Sequence, residues 1–442
     1  MKKIVIVGAV AGGATVASQI RYYDKEAQIV MFDQDETMSY GACGMPYFIS
    51  GEIKDAGHLI AATPEDFRDE RNIEVHLNHQ VMSINRESKT VEVLDLKTQK
   101  TLVESYDSLI LSPGGTPIVP ETTGLESTTM FTLRNFSDME NIHAYINREK
   151  PTSCVIVGAG FIGLEMAESL ATLGLSVSIV EKSPQVMNIL DEDNSTLVEQ
   201  ELKDQGVGVY KGTFISNVAG REIFLDSGEK LVADFILMSI GVAPRTELAE
   251  QAQLTIGDTK GIRTNEYMQT NDPDIYVIGD AAENKDFITG DAKRVPLAWP
   301  AHRQAYIVAK HLAGEKVPFK GLLGTSICKV FSLSVALTGL NAKTLTERKM
   351  AFESISQKSN SNAGYYPDHA EIIVTIHYDS QSRKILGAQI VGGKGVDKRI
   401  DILSTAIYAG LKIDDLQALE LAYAPPYSSP KDPLNMAGYR AE

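Results

Sequence analysis

Cys154-Val155-Ile156-Val157-Gly158-Ala159-Gly160-Phe161-Ile162-Gly163 reads as a buried strand running directly into a glycine-rich turn and a helix. A G-x-G-x-x-G spacing in that context has a physical reading: the first glycine makes the tight turn, the second lets backbone approach a pyrophosphate, and the third permits close helix–strand packing. The phosphate would sit at the helix N-terminus, where unsatisfied N–H groups point outward. Gly158, Gly160 and Gly163 are therefore candidate NAD(P) contacts. The following strand, Ser176-Val177-Ser178-Ile179-Val180-Glu181, ends in an acid 18 residues past Gly163. A carboxylate there can accept hydrogen bonds from ribose hydroxyls and repel a 2′-phosphate, which favours NADH over NADPH; Lys182 beside it softens that preference.

The same unit is echoed at the start of the chain. Ile4-Val5-Ile6-Val7 leads into Gly8-Ala9-Val10-Ala11-Gly12-Gly13, and Gln28-Ile29-Val30-Met31-Phe32 leads to Asp33, 20 residues past Gly13. Valine stands where the second glycine of the fingerprint would fall, so the match is imperfect by itself. Both units also close alike, with Asp107-Ser108-Leu109-Ile110-Leu111-Ser112-Pro113-Gly114 and Asp234-Phe235-Ile236-Leu237-Met238-Ser239-Ile240-Gly241. Continuous apolar runs suit parallel strands covered on both faces by helices.

The expected fold is therefore α/β, with two Rossmann-like nucleotide-binding domains, the second inserted in the first, and a C-terminal α+β domain. The strand Ile275-Tyr276-Val277-Ile278-Gly279-Asp280 and a helix beginning near Pro300 return to the first domain. Beyond Gly321, the alternation Ile372-Ile373-Val374-Thr375-Ile376-His377-Tyr378 and a helical Ile400 to Leu411 mark the last. The boundaries drawn are 1–117 with 246–320, then 118–245, then 321–442.

Composition narrows the function. The 442 residues carry 43% hydrophobic content and a formal net charge of −16. That charge disfavours nucleic acid as a bulk partner, since phosphate neutralisation needs clustered Lys and Arg. No run of 18 apolar residues exists, so no membrane span is expected. Met1-Lys2-Lys3 before an apolar stretch resembles a signal peptide superficially, but the glycine spacing explains the same residues better. Three cysteines cannot build a disulfide framework, which fits a reducing, cytoplasmic setting, and no metal site is expected.

Cys43 is the thiol that matters. It lies in Ser39-Tyr40-Gly41-Ala42-Cys43-Gly44-Met45-Pro46-Tyr47 with no second cysteine nearby, so any disulfide it forms is expected to be with a substrate. If Gly44-Met45-Pro46-Tyr47 opens a helix, the dipole favours thiolate over thiol. Cys154 and Cys328 fall inside expected strands and read as core residues. Two nucleotide sites in series are what an enzyme needs to pass a hydride from nicotinamide to a flavin.

Together these residues resemble the single-cysteine branch of the flavin-dependent pyridine nucleotide–disulfide oxidoreductases, and within it the coenzyme A disulfide reductases, over the whole chain. The resemblance implies FAD on the first unit, NAD(P)H on the inserted one, and a homodimer through the last domain. It assigns Gly8, Ala11, Gly12, Gly13 and Asp33 to FAD, with Gly279 and Asp280 at the ribityl chain and Ala298 in the helix beside the flavin ring. Tyr365 and Tyr423 resemble family tyrosines that reach the partner subunit's active site, joining Cys43 as catalytic candidates. Phe161 replaces a tyrosine that in many relatives covers the flavin until nicotinamide arrives, so the resemblance makes it an NAD(P) candidate whose ring can still gate.

For a coenzyme A substrate, Thr15, Gln19 and Tyr22 fall at i, i+4 and i+7 on one helix face. Matching adds Ser39, Arg71, His302 and Lys431. Relatives tend to carry arginine in place of Tyr22, and Arg21 is read as a substitute. The implied reaction is NAD(P)H-dependent reduction of coenzyme A disulfide through a Cys43–S–S–coenzyme A mixed disulfide. The alternatives are an NADH oxidase or peroxidase cycling Cys43 through sulfenic acid, a persulfide or polysulfide reductase, for which no appended sulfur-carrier domain is expected here, and a flavoprotein redox sensor.

Overall fold

The computed structural model describes residues 2–441. The chain forms two compact units, one gathering residues up to Ile118, Arg134–Glu140 and Val242–Leu322, the other gathering Val119–Leu133, Asn141–Gly241 and residues from Leu323 onward.

The first unit is built on a five-stranded parallel sheet ordered Ile275–Val277, Ser108–Leu111, Lys3–Val7, Gln28–Asp33, Glu74–Leu77. Lys3–Val7 pairs with Gln28–Phe32 on one side and Ser108–Leu111 on the other, so the opening strand is central. Ile4, Val5 and Ile6 are fully buried, as an apolar run covered on two faces requires. Ile275 pairs with Leu109 in parallel register, so a strand from late in the chain completes the first sheet. The Ala11–Tyr23 helix packs on this sheet beside the Ala298–Leu312 helix. An antiparallel three-stranded sheet, His79–Asn85, Thr90–Asp95 and Thr101–Ser105, is appended.

The second unit repeats the arrangement with the order Gly208–Lys211, Ser176–Glu181, Ser153–Val157, Phe235–Met238, Thr129–Thr132. It also holds a five-stranded antiparallel sheet, ordered Ser326–Val330, Leu333–Gly339, Ile385–Gly392, Glu371–Asp379, Phe352–Asn360. The helix expected over Ile400 to Leu411 runs Val396–Ala409, bounded by Gly395 and Gly410, both at positive φ, 67° and 71°. Those two left-handed glycines set its ends, which apolar periodicity alone does not locate. No helix among the described residues is long and apolar enough to cross a membrane, and no cluster of metal-ligating side chains forms among them.

Candidate active site

The two glycine loops have the same construction. Gly8 stands at φ 98° and Gly158 at φ 104°, a left-handed conformation that side chains rarely adopt. A Cβ on Gly13 would lie 1.8 Å from the Gly8 carbonyl oxygen, and one on Gly163 would lie 2.1 Å from that of Gly158. The third glycine in each loop is thus fixed by contact with the first. The helices Ala11–Tyr23 and Phe161–Thr172 start immediately after the turns, and nothing lies within 4 Å of a Cβ placed on Gly160. The second loop therefore offers helix N–H groups over open backbone, which suits a pyrophosphate, whereas a Cβ on Gly12 of the first loop would lie 2.5 Å from Ser112 Oγ.

The acids that end the second strands also match. Asp33 Oδ2 accepts the Ala9 N–H at 2.6 Å, and Glu181 Oε2 accepts the Ala159 N–H at 2.8 Å. Burial pushes the Asp33 carboxyl up to about 6, against the pull of the Asp35 and Ala9 N–H groups. Gly279 takes φ 77° and donates its N–H to Gln304 Oε1. Asp280, next in the chain, pairs its carboxylate with Arg134 Nη2 at 2.7 Å, a contact the sequence reading missed. Ala298 is exposed at the start of the Ala298–Leu312 helix, within which Trp299 is also exposed.

The Cys43 segment is held by backbone. Ser39 adopts φ 46° while its N–H donates to the Ala9 carbonyl and its carbonyl accepts the Ala61 N–H, tying the segment to the glycine loop. Gly41 donates to Leu59. A Cβ on Gly44 would lie 2.3 Å from Leu59 Cδ2, so this glycine permits the close approach. Cys43 sits in a single 3-10 turn, Ala42–Gly44, that leads into a short helix, Met45–Ile49, with proline in its first turn. The helical opening anticipated after Cys43 is present. Cys43 is exposed, whereas Cys154 and Cys328 are buried and burial pushes each thiol up to about 12. At neutral pH those two are un-ionised core groups.

Thr15 Oγ1, on the helix that follows the first glycine loop, meets His302 Nδ1 at 2.7 Å. Arg71 Nη1 donates to Ser18 Oγ at 2.9 Å while its guanidinium lies over the Phe67 ring. Thr15 and Ser18 share the helix face that carries Gln19 and Tyr22, so Thr15, His302 and Arg71 converge on it. Ser18 went unremarked in the sequence, although its i+3 spacing from Thr15 was the available signal. Tyr22 is exposed, with Lys25 Nζ 5.5 Å from its ring centroid. Arg21 is not the substitute expected for it. Its guanidinium is buried and donates to the carbonyls of Asp24, Lys25, Ala27, Arg71 and Asn72, which leaves it facing away from solvent.

In the second unit, the hydroxyls of Tyr365 and Tyr423 lie 3.1 Å apart although both rings are exposed, at 76% and 45%. The hydrogen bond to Tyr365 raises the Tyr423 phenol above its ordinary value. Lys431 Nζ lies over the Tyr439 ring. Phe161 begins the helix of the second glycine loop. One helical turn on, burial and the nearby Glu168 carboxylate push Glu165 up to about 7, a shift no sequence motif announces.

Residues 2–305 match the pyridine nucleotide-disulphide oxidoreductase family, and residues 325–432 match that family's dimerisation domain. The chain belongs to the pyridine nucleotide-disulphide oxidoreductases. It is 39% identical to the coenzyme A disulfide reductase of Staphylococcus epidermidis, covering 100% of both chains. Among solved members of the family, the reduced Bacillus anthracis CoADR-RHD is 43% identical with a TM-score of 0.98, covering 100% of this chain and 80% of that one. A NAD-dependent persulfide reductase from A. fulgidus is 32% identical with a TM-score of 0.96, covering 99% and 83%.

Proposed function

We propose that this chain is an NAD(P)H-dependent, FAD-containing coenzyme A disulfide reductase working as a homodimer in the cytoplasm. The observation that carries the reading is the exposed Cys43 thiol beside the glycine loop, in a chain whose other two cysteines are buried with thiols pushed to about 12. A dithiol mechanism has no second accessible sulfur within the chain. The disulfide partner of Cys43 therefore comes from solution.

The residues of the first glycine loop fit FAD: Gly8, Ala11, Gly12 and Gly13 carry the tight turn into the helix N-terminus, and Asp33, Gly279, Asp280 and Ala298 complete its site. Gly158, Gly160, Phe161, Gly163 and Glu181 take the pyridine nucleotide, with Glu181 favouring NADH. On this reading the FAD domain is 1–117 and 246–320, the NAD(P)H domain 118–245 and the dimerisation domain 321–442. FAD, when bound, relays two electrons from the nicotinamide to sulfur.

The remaining steps belong to side chains. The Cys43 thiolate attacks one sulfur of coenzyme A disulfide, forming the Cys43–S–S–coenzyme A bond and breaking the original S–S bond. The departing coenzyme A thiolate takes a proton from Tyr423 or Tyr365, supplied by the partner subunit. Two electrons and a second proton then cleave the mixed disulfide, freeing the second coenzyme A and regenerating the thiolate. Thr15, Ser39 and His302 orient the substrate's polar arm together with Gln19 and Tyr22, while Arg71 and Lys431 supply charge-assisted bonds to its phosphates.

Mass analysis of protein isolated without reductant tests this reading. It predicts a single coenzyme A adduct on Cys43 that dithiothreitol removes; unmodified Cys43 under those conditions contradicts it. The likeness to the A. fulgidus persulfide reductase supports a second reading, persulfide or polysulfide reduction by the same thiol. NADH oxidation rates with coenzyme A disulfide, polysulfide and oxygen rank the substrates directly.

A further inference from the structure

Arg399, on the Val396–Ala409 helix, is 0% exposed, and a cation that deep must be matched by charge and hydrogen bonds. Its partner is Asp432. Nε lies 3.0 and 3.1 Å from the two carboxylate oxygens, and Nη2 lies 2.8 Å from Oδ2. The pair has further contacts on two separate segments. Arg399 Nη2 donates to the Ser361 carbonyl at 2.8 Å, four residues before Tyr365. Ser428, five residues after Tyr423, donates its hydroxyl to Asp432 Oδ2 at 2.8 Å.

The roots of both tyrosine segments are thus fastened to one ion pair. They are also linked to each other, since the Ala363 N–H donates to the Pro425 carbonyl. Lys398 Nζ holds the Tyr427 carbonyl at 2.9 Å. Asp432 caps the Pro433–Arg440 helix as well, and Asn435 of the same capping box donates to the Leu416 and Leu419 carbonyls just upstream of Tyr423. Beyond these anchors the two rings project into solvent, yet their hydroxyls meet at 3.1 Å.

Burying an ion pair is often no more stabilising than burying apolar residues of the same volume. Stability alone therefore does not account for this one, whereas geometry does. We propose that the Arg399–Asp432 pair is a positioning device that sets the Tyr365–Tyr423 hydroxyl contact, and through it the delivery of a proton to the departing thiolate. The inference rests on the tyrosine role proposed above.

The test uses FAD-loaded dimer carrying R399K, which keeps the charge but loses the planar fork, and S428A, which removes one hydroxyl from the link. Coenzyme A disulfide turnover is measured beside NADH-dependent ferricyanide reduction, which needs no proton from a tyrosine. The expected result is a kcat on the disulfide lowered by about 10-fold with KM within about 2-fold, as misplacement of a catalytic group produces. Ferricyanide reduction should be unchanged, and the alkaline limb of the disulfide kcat should move to lower pH as the hydroxyl contact that raises Tyr423 is lost.

Each substitution is then repeated in a Y365F/Y423F background, where its cost should fall below about 2-fold. A full additional loss in that background, or wild-type kcat in both R399K and S428A, overturns the positioning role and leaves the tyrosines' role standing. A Y365F/Y423F enzyme turning over at the wild-type rate overturns the tyrosine role and this inference with it. If R399K does not fold, S428A carries the same outcomes.

Discussion

Thr15 Oγ1 and His302 Nδ1 lie 2.7 Å apart, although 287 residues separate them. The contact joins the helix that follows the first glycine loop to the helix that begins at Ala298. It fixes two candidate substrate-binding side chains in one orientation, and Arg71 reaches the same helix face through Ser18. Replacing His302 by Ala should raise KM for coenzyme A disulfide by about 5-fold, the worth of a typical net hydrogen bond. Ferricyanide reduction by NADH, measured on the same preparation, should stay within about 2-fold.

The glycine loops permit a sharper separation. G13A places a Cβ against the Gly8 carbonyl and should destabilise the fold by more than about 1 kcal/mol while releasing FAD. G163A makes the equivalent clash with the Gly158 carbonyl. It should retain the flavin absorption spectrum and lose reduction by NADH. Absorbance at the flavin band before and after anaerobic NADH addition reads both outcomes.

Thiol reactivity should follow burial. Cys154 and Cys328, held up at about 12, stay protonated throughout the neutral range, so iodoacetamide at pH 7 should label Cys43 alone once any adduct has been reduced away. Peptide mapping checks this, and labelling of either buried cysteine in folded protein would contradict it.

The tyrosine pair carries a pH dependence with a definite sign. The hydrogen bond to Tyr365 raises the Tyr423 phenol, so Tyr423 keeps its proton to higher pH than an isolated tyrosine. Y365F should therefore shift the alkaline limb of kcat to lower pH, and Y423F should cost about 100-fold in kcat, within the range of general-acid catalysis.

Much of the fold was legible because its signals are local. Apolar runs such as Ile4–Val7 and Cys154–Val157 are short, uninterrupted and followed by glycines whose spacing has one steric explanation, so both parallel sheets could be read from them. The Cys43 segment was legible for the same reason: a solitary thiol before Gly44-Met45-Pro46 is a local pattern. The failures concern groups whose meaning is set by distant partners. Arg21 looked available because sequence cannot show that five carbonyls surround its guanidinium. Arg134 on Asp280 and Arg399 on Asp432 pair across 146 and 33 residues, and no periodicity encodes either contact. The ends of the Val396–Ala409 helix depended on two glycines at positive φ rather than on hydrophobic spacing.

The proposed turnover depends most on the Cys43 sulfur exchanging electrons with a disulfide that arrives from solution. Steady-state turnover of coenzyme A disulfide by C43S, with C154S and C328S as controls, tests it most directly. C43S should retain NADH-dependent ferricyanide reduction while disulfide turnover falls to background, and both controls should turn over like the parent enzyme; C43S reducing coenzyme A disulfide at the parent rate would contradict the thiol's role.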